Sequence, residues 1–266
     1  MQLTSLTVWK FFLLTALLLV GSLKAHAEIN LIKYQFGSDN ETDIPTVYWA
    51  KPGSKAVIIF IPGGGGSFGL TKKTDPQPNW VLADLFRGSQ AAVDLVFMDS
   101  HTSLQANFGD PYSRWSARRE ARHLDQIKAT VSYYAKKTGK PVFLFGHSNG
   151  SLSIAEFLKH SPDHQKLLGG IILSGSRNET EISGVISLPV LVLHHRKDPN
   201  RWTMPESAEK LFLSIQKNNA RLTDLAWVDG GKDVSGGDPT HTGRHMYHEA
   251  TDEAAGLIWR FVAKSI

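Results

Sequence analysis

The chain has 266 residues, 41% hydrophobic and 20% charged, which suits one or two globular domains and excludes global disorder. Setting aside residues 1–27, with Lys10 and Lys24, leaves 27 basic residues against 25 acidic ones, too small an excess for a nucleic-acid surface. The absence of cysteine excludes disulfides, thiolate metal sites and a cysteine nucleophile.

The first segment reads as an export signal. Lys10 precedes the apolar run from Phe11 to Val20, and Ala25-His26-Ala27 forms an A-x-A cleavage pattern, so residues 1–27 are expected to leave before Glu28. The run is shorter than the ~20 residues a spanning helix needs, so no membrane span is expected after cleavage. The expected location is the bacterial periplasm or the exterior. Residues 28–266 carry no Pro/Ser-rich linker, charge block or repeat, and are read as a single domain.

Strands alternate with helices along the mature chain, which predicts an α/β fold with a mostly parallel sheet. Residues 29–36 and 45–50 alternate apolar and polar, as early antiparallel strands do. The apolar run Ala56 to Ile61 reads as a strand covered on both faces and leads into Pro62-Gly63-Gly64-Gly65-Gly66. A helix is expected over 79–91, a strand over 93–98, and a helix from about Ser116 to Thr138 with Leu124, Ile127 and Val131 on one face. Gly139-Lys140-Pro141 ends that helix. The strand Val142 to Phe145 then meets the turn Gly146-His147-Ser148-Asn149-Gly150, and a helix follows through Leu158. Strands are expected at 171–173, 189–193 and 222–228, with helices over 205–216 and 249–264.

The pattern G-x-S-x-G is a modest signal alone. It gains specificity here because a strand precedes it and a helix follows it, which is the setting that thrusts a nucleophilic serine outward. Gly146 and Gly150 lack a Cβ, so strand and helix can approach closely around Ser148. The helix N-terminus behind Ser148 offers free N–H groups and positive dipole to a developing oxyanion, with Asn149 N–H as one donor. The second donor is expected from the glycine loop after the earlier strand, at Gly64 or Gly65. No Gly-Lys-Ser/Thr follows that loop, so it is not a phosphate-binding P-loop. The competing readings are a glycine-flanked helix cap at Ser148 and a purely structural turn at 62–66.

A neutral serine needs a histidine base, and in this setting the chain order is serine, acid, histidine. The acid is expected just past the strand ending at Leu193, in His194-His195-Arg196-Lys197-Asp198. Asp198 is the choice, with a surface ion pair to Arg196 or Lys197 as its competing role and Asp229 as the reserve. The base is expected between the last strand and the terminal helix, a window holding His241, His245 and His248. His245 is preferred by its spacing from that helix. The i, i+4 spacing of His241 and His245 would suit zinc on a helix, but Gly243 and Gly236-Gly237-Asp238-Pro239 favour a loop. No metal and no cofactor are expected.

With these residues in place, the chain resembles the α/β-hydrolase superfamily from about residue 45 to 264, and most closely a branch of small exported bacterial members. The resemblance implies an α/β-hydrolase fold and the triad Ser148–Asp198–His245. Members of that branch carry an arginine and a His–Asp pair in the helix before the elbow strand, which Arg114, His123 and Asp125 match here. They more often show His-Gly-Phe where this chain has His245-Met246-Tyr247, and they often carry a cysteine pair that this chain lacks.

The expected activity is that of a serine hydrolase acting on a carboxylic ester through an acyl-enzyme, the partner being a small-molecule ester or amide. The alternatives are a peptidase or amidase with the same triad and a catalytically silent binding protein of the same fold. Only residues 175–188 lie where such folds insert a cap, so no large cap domain is expected. The loops 67–78 and 99–115, with Phe68, Trp80, Phe108, Tyr112 and Trp115, are candidates for one wall of the site.

Overall fold

The computed structural model describes residues 26–38, 41–66, 70, 80–88, 91–99, 116–184, 186–237 and 243–266. Eight strands form one sheet in the order β1-β2-β4-β3-β5-β6-β7-β8. They are β1 His26–Tyr34, β2 Thr42–Ala50, β3 Ala56–Ile61, β4 Val93–Met98, β5 Val142–His147, β6 Leu168–Ser174, β7 Val190–His195 and β8 Thr223–Val228. Pairing is antiparallel at β1–β2 and β2–β4 and parallel at every other junction. The helices are α1 Trp80–Arg87, α2 Ala121–Thr138, α3 Asn149–His160, α4 Pro205–Asn219 and α5 Thr251–Ser265.

Burial explains why the central strands read as unbroken apolar runs. Every residue of β3, β4, β5 and β7 is buried, because helices cover both faces of the sheet. On one face Val57, Ile59, Leu144, Leu173 and Val192 pack with Ile127 and Val131 of α2, Phe157 of α3 and Leu211 of α4. On the other, Ile58, Phe60, Phe145, Ile172 and Leu191 pack with Leu82 of α1 and Ile258 and Phe261 of α5. Each such fully buried aliphatic or aromatic side chain is worth ~1.5–3 kcal/mol of transfer free energy.

Strand order reverses between β3 and its neighbours. From β3 the chain steps to β4 on one side, then returns over β3 to β5 on the other. In open α/β sheets the crevice at such a reversal, outside the carboxyl ends of the strands, is where ligands bind. The glycine loop leaves β3 and the elbow leaves β5 at this crevice. The segment between β6 and β7 is too short for a cap domain, and its Ile182, Ile186 and Leu188 are buried in the core. Among the described residues no helix is long and apolar enough to cross a membrane.

Several boundaries differ from expectation. The helix expected from Ser116 breaks at Arg118–Glu120 and restarts at Ala121, and Arg118 in the break is buried. It ends as expected at Gly139, whose φ of 66° is left-handed and whose N–H reaches Ala135 O. The elbow strand continues to His147, and the strand before the acid continues to His195. His26 and Ala27, expected to leave with the signal, pair here with Ala50 and Trp49 as the first residues of β1.

Candidate active site

Ser148 sits between β5 and α3 with φ 53° and ψ −119°, a region few residues other than glycine occupy. The surroundings over-determine that strain. A Cβ on Gly146 would lie 2.4 Å from Gly150 O, and one on Gly150 would lie 2.2 Å from Ile61 O. Only glycine at both positions lets β3, β5 and α3 approach this closely. Ser148 N–H donates to Ser174 O at 2.9 Å, and Ser148 O accepts from Ser151 N–H and Oγ. The Ser148 side chain makes no capping bond to α3, so the helix-cap reading does not hold. Its hydroxyl makes no hydrogen bond among the described residues.

Asp198 and His245 meet as expected. His245 Nδ1 lies 2.8 Å from Asp198 Oδ2, and both side chains are almost fully buried. The same Oδ2 accepts from Thr203 Oγ1 at 2.9 Å and faces His194 Nε2 at 3.4 Å, while Oδ1 accepts from Asn200 N–H at 2.9 Å. Burial on its own would raise the carboxyl's pKa, but the hydrogen bonds from His194 and His245 outweigh it and hold the group well below the usual range. Asp198 is therefore an ionised acceptor, so His245 Nδ1 carries its proton and Nε2 is the basic nitrogen. His194 Nε2 also lies 2.9 Å from Thr203 O, which accepts only, so this ring donates and anchors the loop that carries Thr203.

The alternatives for acid and base lie elsewhere. Asp229 is exposed and takes Arg196 Nε at 2.7 Å, so Arg196 does not pair with Asp198. His248 is exposed beside Glu249, and His241 lies outside the described residues. Among the described residues no three His, Cys, Asp or Glu side chains converge as a metal site.

His245 reaches the elbow through His147. Their ring centroids are 4.7 Å apart with planes at 41°. His147 Nδ1 lies 3.1 Å from Ser174 Oγ, Ser174 Oγ lies 2.7 Å from Tyr247 Oη, and Tyr247 donates to Leu193 O at 3.2 Å. Burial pushes the His147 pKa well below 6.5, aided by repulsion from His245, and pushes the Tyr247 phenol upward. The chain from His147 to Tyr247 is thus neutral, and it supports the floor under His245. Tyr247 has φ 53°, a strained turn that brings its ring under the elbow while His245 stays at the acid.

The glycine loop lies against the nucleophile. A Cβ on Gly63 would lie 2.9 Å from His147 O and 3.3 Å from Ser148 Cβ, and Asn149 Nδ2 donates to Gly64 O at 3.1 Å. Gly64 at φ 50° and Gly66 at φ 80° use the freedom that glycine alone supplies without strain. Of the expected oxyanion residues, Asn149 adjoins Ser148 in the chain and its side chain holds Gly64, while Gly63 is the loop residue packed against Ser148 Cβ.

Two neighbours of the site carried no signal in the sequence: Thr203, which holds Asp198, and Arg118, which binds the glycine loop; His194, of the double histidine before the acid, also faces Asp198. The resemblance pointed to Arg114, which lies outside the described residues. His123 and Asp125 do not pair with each other: His123 Nε2 meets Ser153 Oγ at 2.9 Å, and Asp125 meets His160 Nε2 at 3.1 Å. His195 supports the loop through Gly230 O rather than the carboxylate. Of the candidate wall, Phe68, Phe108, Tyr112 and Trp115 lie outside the described residues.

The sequence pattern of the lecithin:cholesterol acyltransferase family matches residues 105–188, a minority of the chain that includes the elbow. No curated protein matches the sequence. Among solved structures, the dienelactone hydrolase of Anabaena variabilis superposes with a TM-score of 0.61 at 13% identity, covering 90% of this chain and 98% of that one. An esterase of Pyrococcus furiosus gives 0.60 at 11% identity, covering 89% and 92%. A lidless α/β serine hydrolase of Xanthomonas campestris gives 0.57 at 11% identity, covering 89% and 94%. With its strand order, its elbow after β5 and these neighbours, the chain has the α/β-hydrolase fold.

Proposed function

We propose that this protein is a serine hydrolase that cleaves carboxylic esters through an acyl-enzyme, with Ser148 as nucleophile, His245 as base and Asp198 as its orienting acid. The observation that carries the reading is the 2.8 Å contact of ionised Asp198 with His245 Nδ1, beside a serine held at φ 53°. That contact leaves Nε2 as the nitrogen able to take a proton.

In the proposed cycle, the Ser148 Oγ–H proton passes to His245 Nε2 as Oγ bonds the ester carbonyl carbon. The carbonyl oxygen becomes an oxyanion held by Asn149 N–H and an N–H of Gly64 or Gly65. Its collapse breaks the carbon–oxygen bond to the alcohol, which leaves with the proton from His245. Water then gives a proton to His245 as its oxygen attacks the acyl carbon, and the acid departs as Ser148 regains its hydrogen. The residues supply both proton transfer and charge stabilisation, so the cycle uses no cofactor.

The hydrolases among the structural neighbours support this class of chemistry. The acyltransferase family match at residues 105–188 favours one second reading, in which an alcohol replaces water as the acyl acceptor. Both run through the same acyl-enzyme. We place the site outside the cytoplasm, on the strength of the leader-like residues 1–27.

A fluorophosphonate probe, located by mass spectrometry, tests the reading on the chain from Glu28 onward. The expected result is one adduct on Ser148, absent in Ser148→Ala and strongly slowed in His245→Ala. An unlabelled wild type would overturn it.

A further inference from the structure

Arg118 is one of the largest fully buried side chains among the described residues, and its hydrogen bonds to them all go to neutral groups. Nη1 donates to Pro62 O at 2.7 Å and Ser153 Oγ at 3.1 Å; Nη2 donates to Gly63 O at 3.1 Å and Gly64 O at 3.0 Å. Ser153 is fixed in turn by His123 Nε2 at 2.9 Å. Among the described residues no carboxylate pairs with the guanidinium. Burial lowers its pKa to about 10, which still leaves it charged at neutral pH.

Burying a cation that no described carboxylate pairs is costly, so the position demands an account beyond packing. Peptide geometry supplies one. Across a trans peptide the C=O of one residue and the N–H of the next point in opposite directions, and no described peptide is cis. Three successive carbonyls, of Pro62, Gly63 and Gly64, turn toward the guanidinium. The N–H groups of Gly63, Gly64 and Gly65 therefore turn away from it, in a loop that touches the Ser148 Cβ side of the elbow. A flexible glycine run would not hold that orientation alone, because glycine loses the most backbone freedom on ordering. The planar fork of arginine spreads its donors over two terminal nitrogens in a fixed geometry, whereas a lysine ammonium would gather them on one atom at the end of a flexible stem.

We propose that Arg118 is the positioning residue of the oxyanion site, holding the 62–65 peptides with their N–H groups toward the reacting carbonyl and placing a buried positive charge one peptide layer behind it. This rests on the serine-hydrolase reading above. Charge-assisted bonds to the carbonyl end of a peptide also polarise its N–H, which strengthens the donor presented to an oxyanion. The charge acts through a low-dielectric layer, where it is screened less than a surface arginine would be.

The test compares wild type, Arg118→Lys and Arg118→Met for hydrolysis of a p-nitrophenyl ester, affinity for an arylboronic acid, fluorophosphonate labelling and thermal unfolding. The boronate adduct on serine is tetrahedral and anionic, so it reports the oxyanion site separately from substrate binding. In Arg118→Lys, kcat is expected to fall about 10- to 100-fold, less than the about 10²–10³ that outright removal of an oxyanion donor costs, with KM within about threefold. Boronate affinity should fall in the same proportion, and the midpoint of the acid limb of kcat/KM should stay in place. Arg118→Met removes the charge and should be slower still; if it fails to fold, the lysine variant decides. A folded Arg118→Lys with kcat and boronate affinity within twofold of wild type would overturn the proposal. So would a loss of kcat and thermal stability with boronate affinity unchanged, which is the signature of a structural role alone. Wild-type labelling separates the two readings: an unlabelled wild type sinks the hydrolase reading itself, and a labelled wild type with indifferent variants sinks only the role of Arg118.

Discussion

The imidazole of His147 lies against that of His245, with centroids 4.7 Å apart, and burial keeps His147 neutral. Burial and the neighbouring His245 lower its pKa well below 6.5, against a smaller opposing pull from Asp198 and a further push from His194.

This depression makes folding stability sensitive to acid. Below pH 6.5 the unfolded chain binds a proton at residue 147 that the folded chain refuses, so stability falls as pH falls through that value. One such group contributes a slope of up to about 1.4 kcal/mol per pH unit. Asp198 acts in a separate window: its folded pKa is depressed, so its contribution is present above 3.8 and is lost only below it. Urea unfolding between pH 7.5 and 4.5 should therefore show a steeper decline in wild type than in His147→Gln. The comparison is of slopes, because the substitution also removes the bond to Ser174. Equal slopes would mean that His147 is protonated in the folded protein.

The carboxylate of Asp198 has an order of importance among its partners. Asp198→Asn presents a group that favours the wrong tautomer of His245 and should lower kcat/KM by about 10³- to 10⁴-fold, as such changes do in serine triads. Thr203→Val keeps the shape and removes one donor to Oδ2, so a loss of about 10-fold is expected. Steady-state hydrolysis of a p-nitrophenyl ester measures both. A loss below 10-fold in Asp198→Asn would remove it from the acid's role.

The elbow glycines should fail by collision. Gly150→Ala places a Cβ 2.2 Å from the backbone oxygen of Ile61, which no side-chain rotation relieves. A cost of at least ~2–3 kcal/mol, or failure to fold, is expected. Gly53→Ala is the control: its φ is 74° and nothing lies within 4 Å of the new Cβ, so only the left-handed penalty of ~1–2 kcal/mol applies. Urea midpoints for the two variants should rank accordingly, and equal midpoints would mean that β3 and α3 are free to separate.

Sequence alone determined the elements, because the signals for them are local. The apolar runs of β3 to β7 follow from burial on both faces, and Gly146-His147-Ser148-Asn149-Gly150 marks a strand-to-helix turn by composition. Chain order then narrowed the acid to the stretch after β7 and the base to three histidines. Tertiary structure decided what depends on meeting across the chain. It joined Asp198 to His245 over 47 residues and sent Asp229 to Arg196. Arg118 shows the limit most clearly. In the run Arg118-Arg119-Glu120-Ala121-Arg122 nothing local tells which arginine turns inward. The choice belongs to three loop carbonyls more than fifty residues earlier, which only the folded sheet brings within reach.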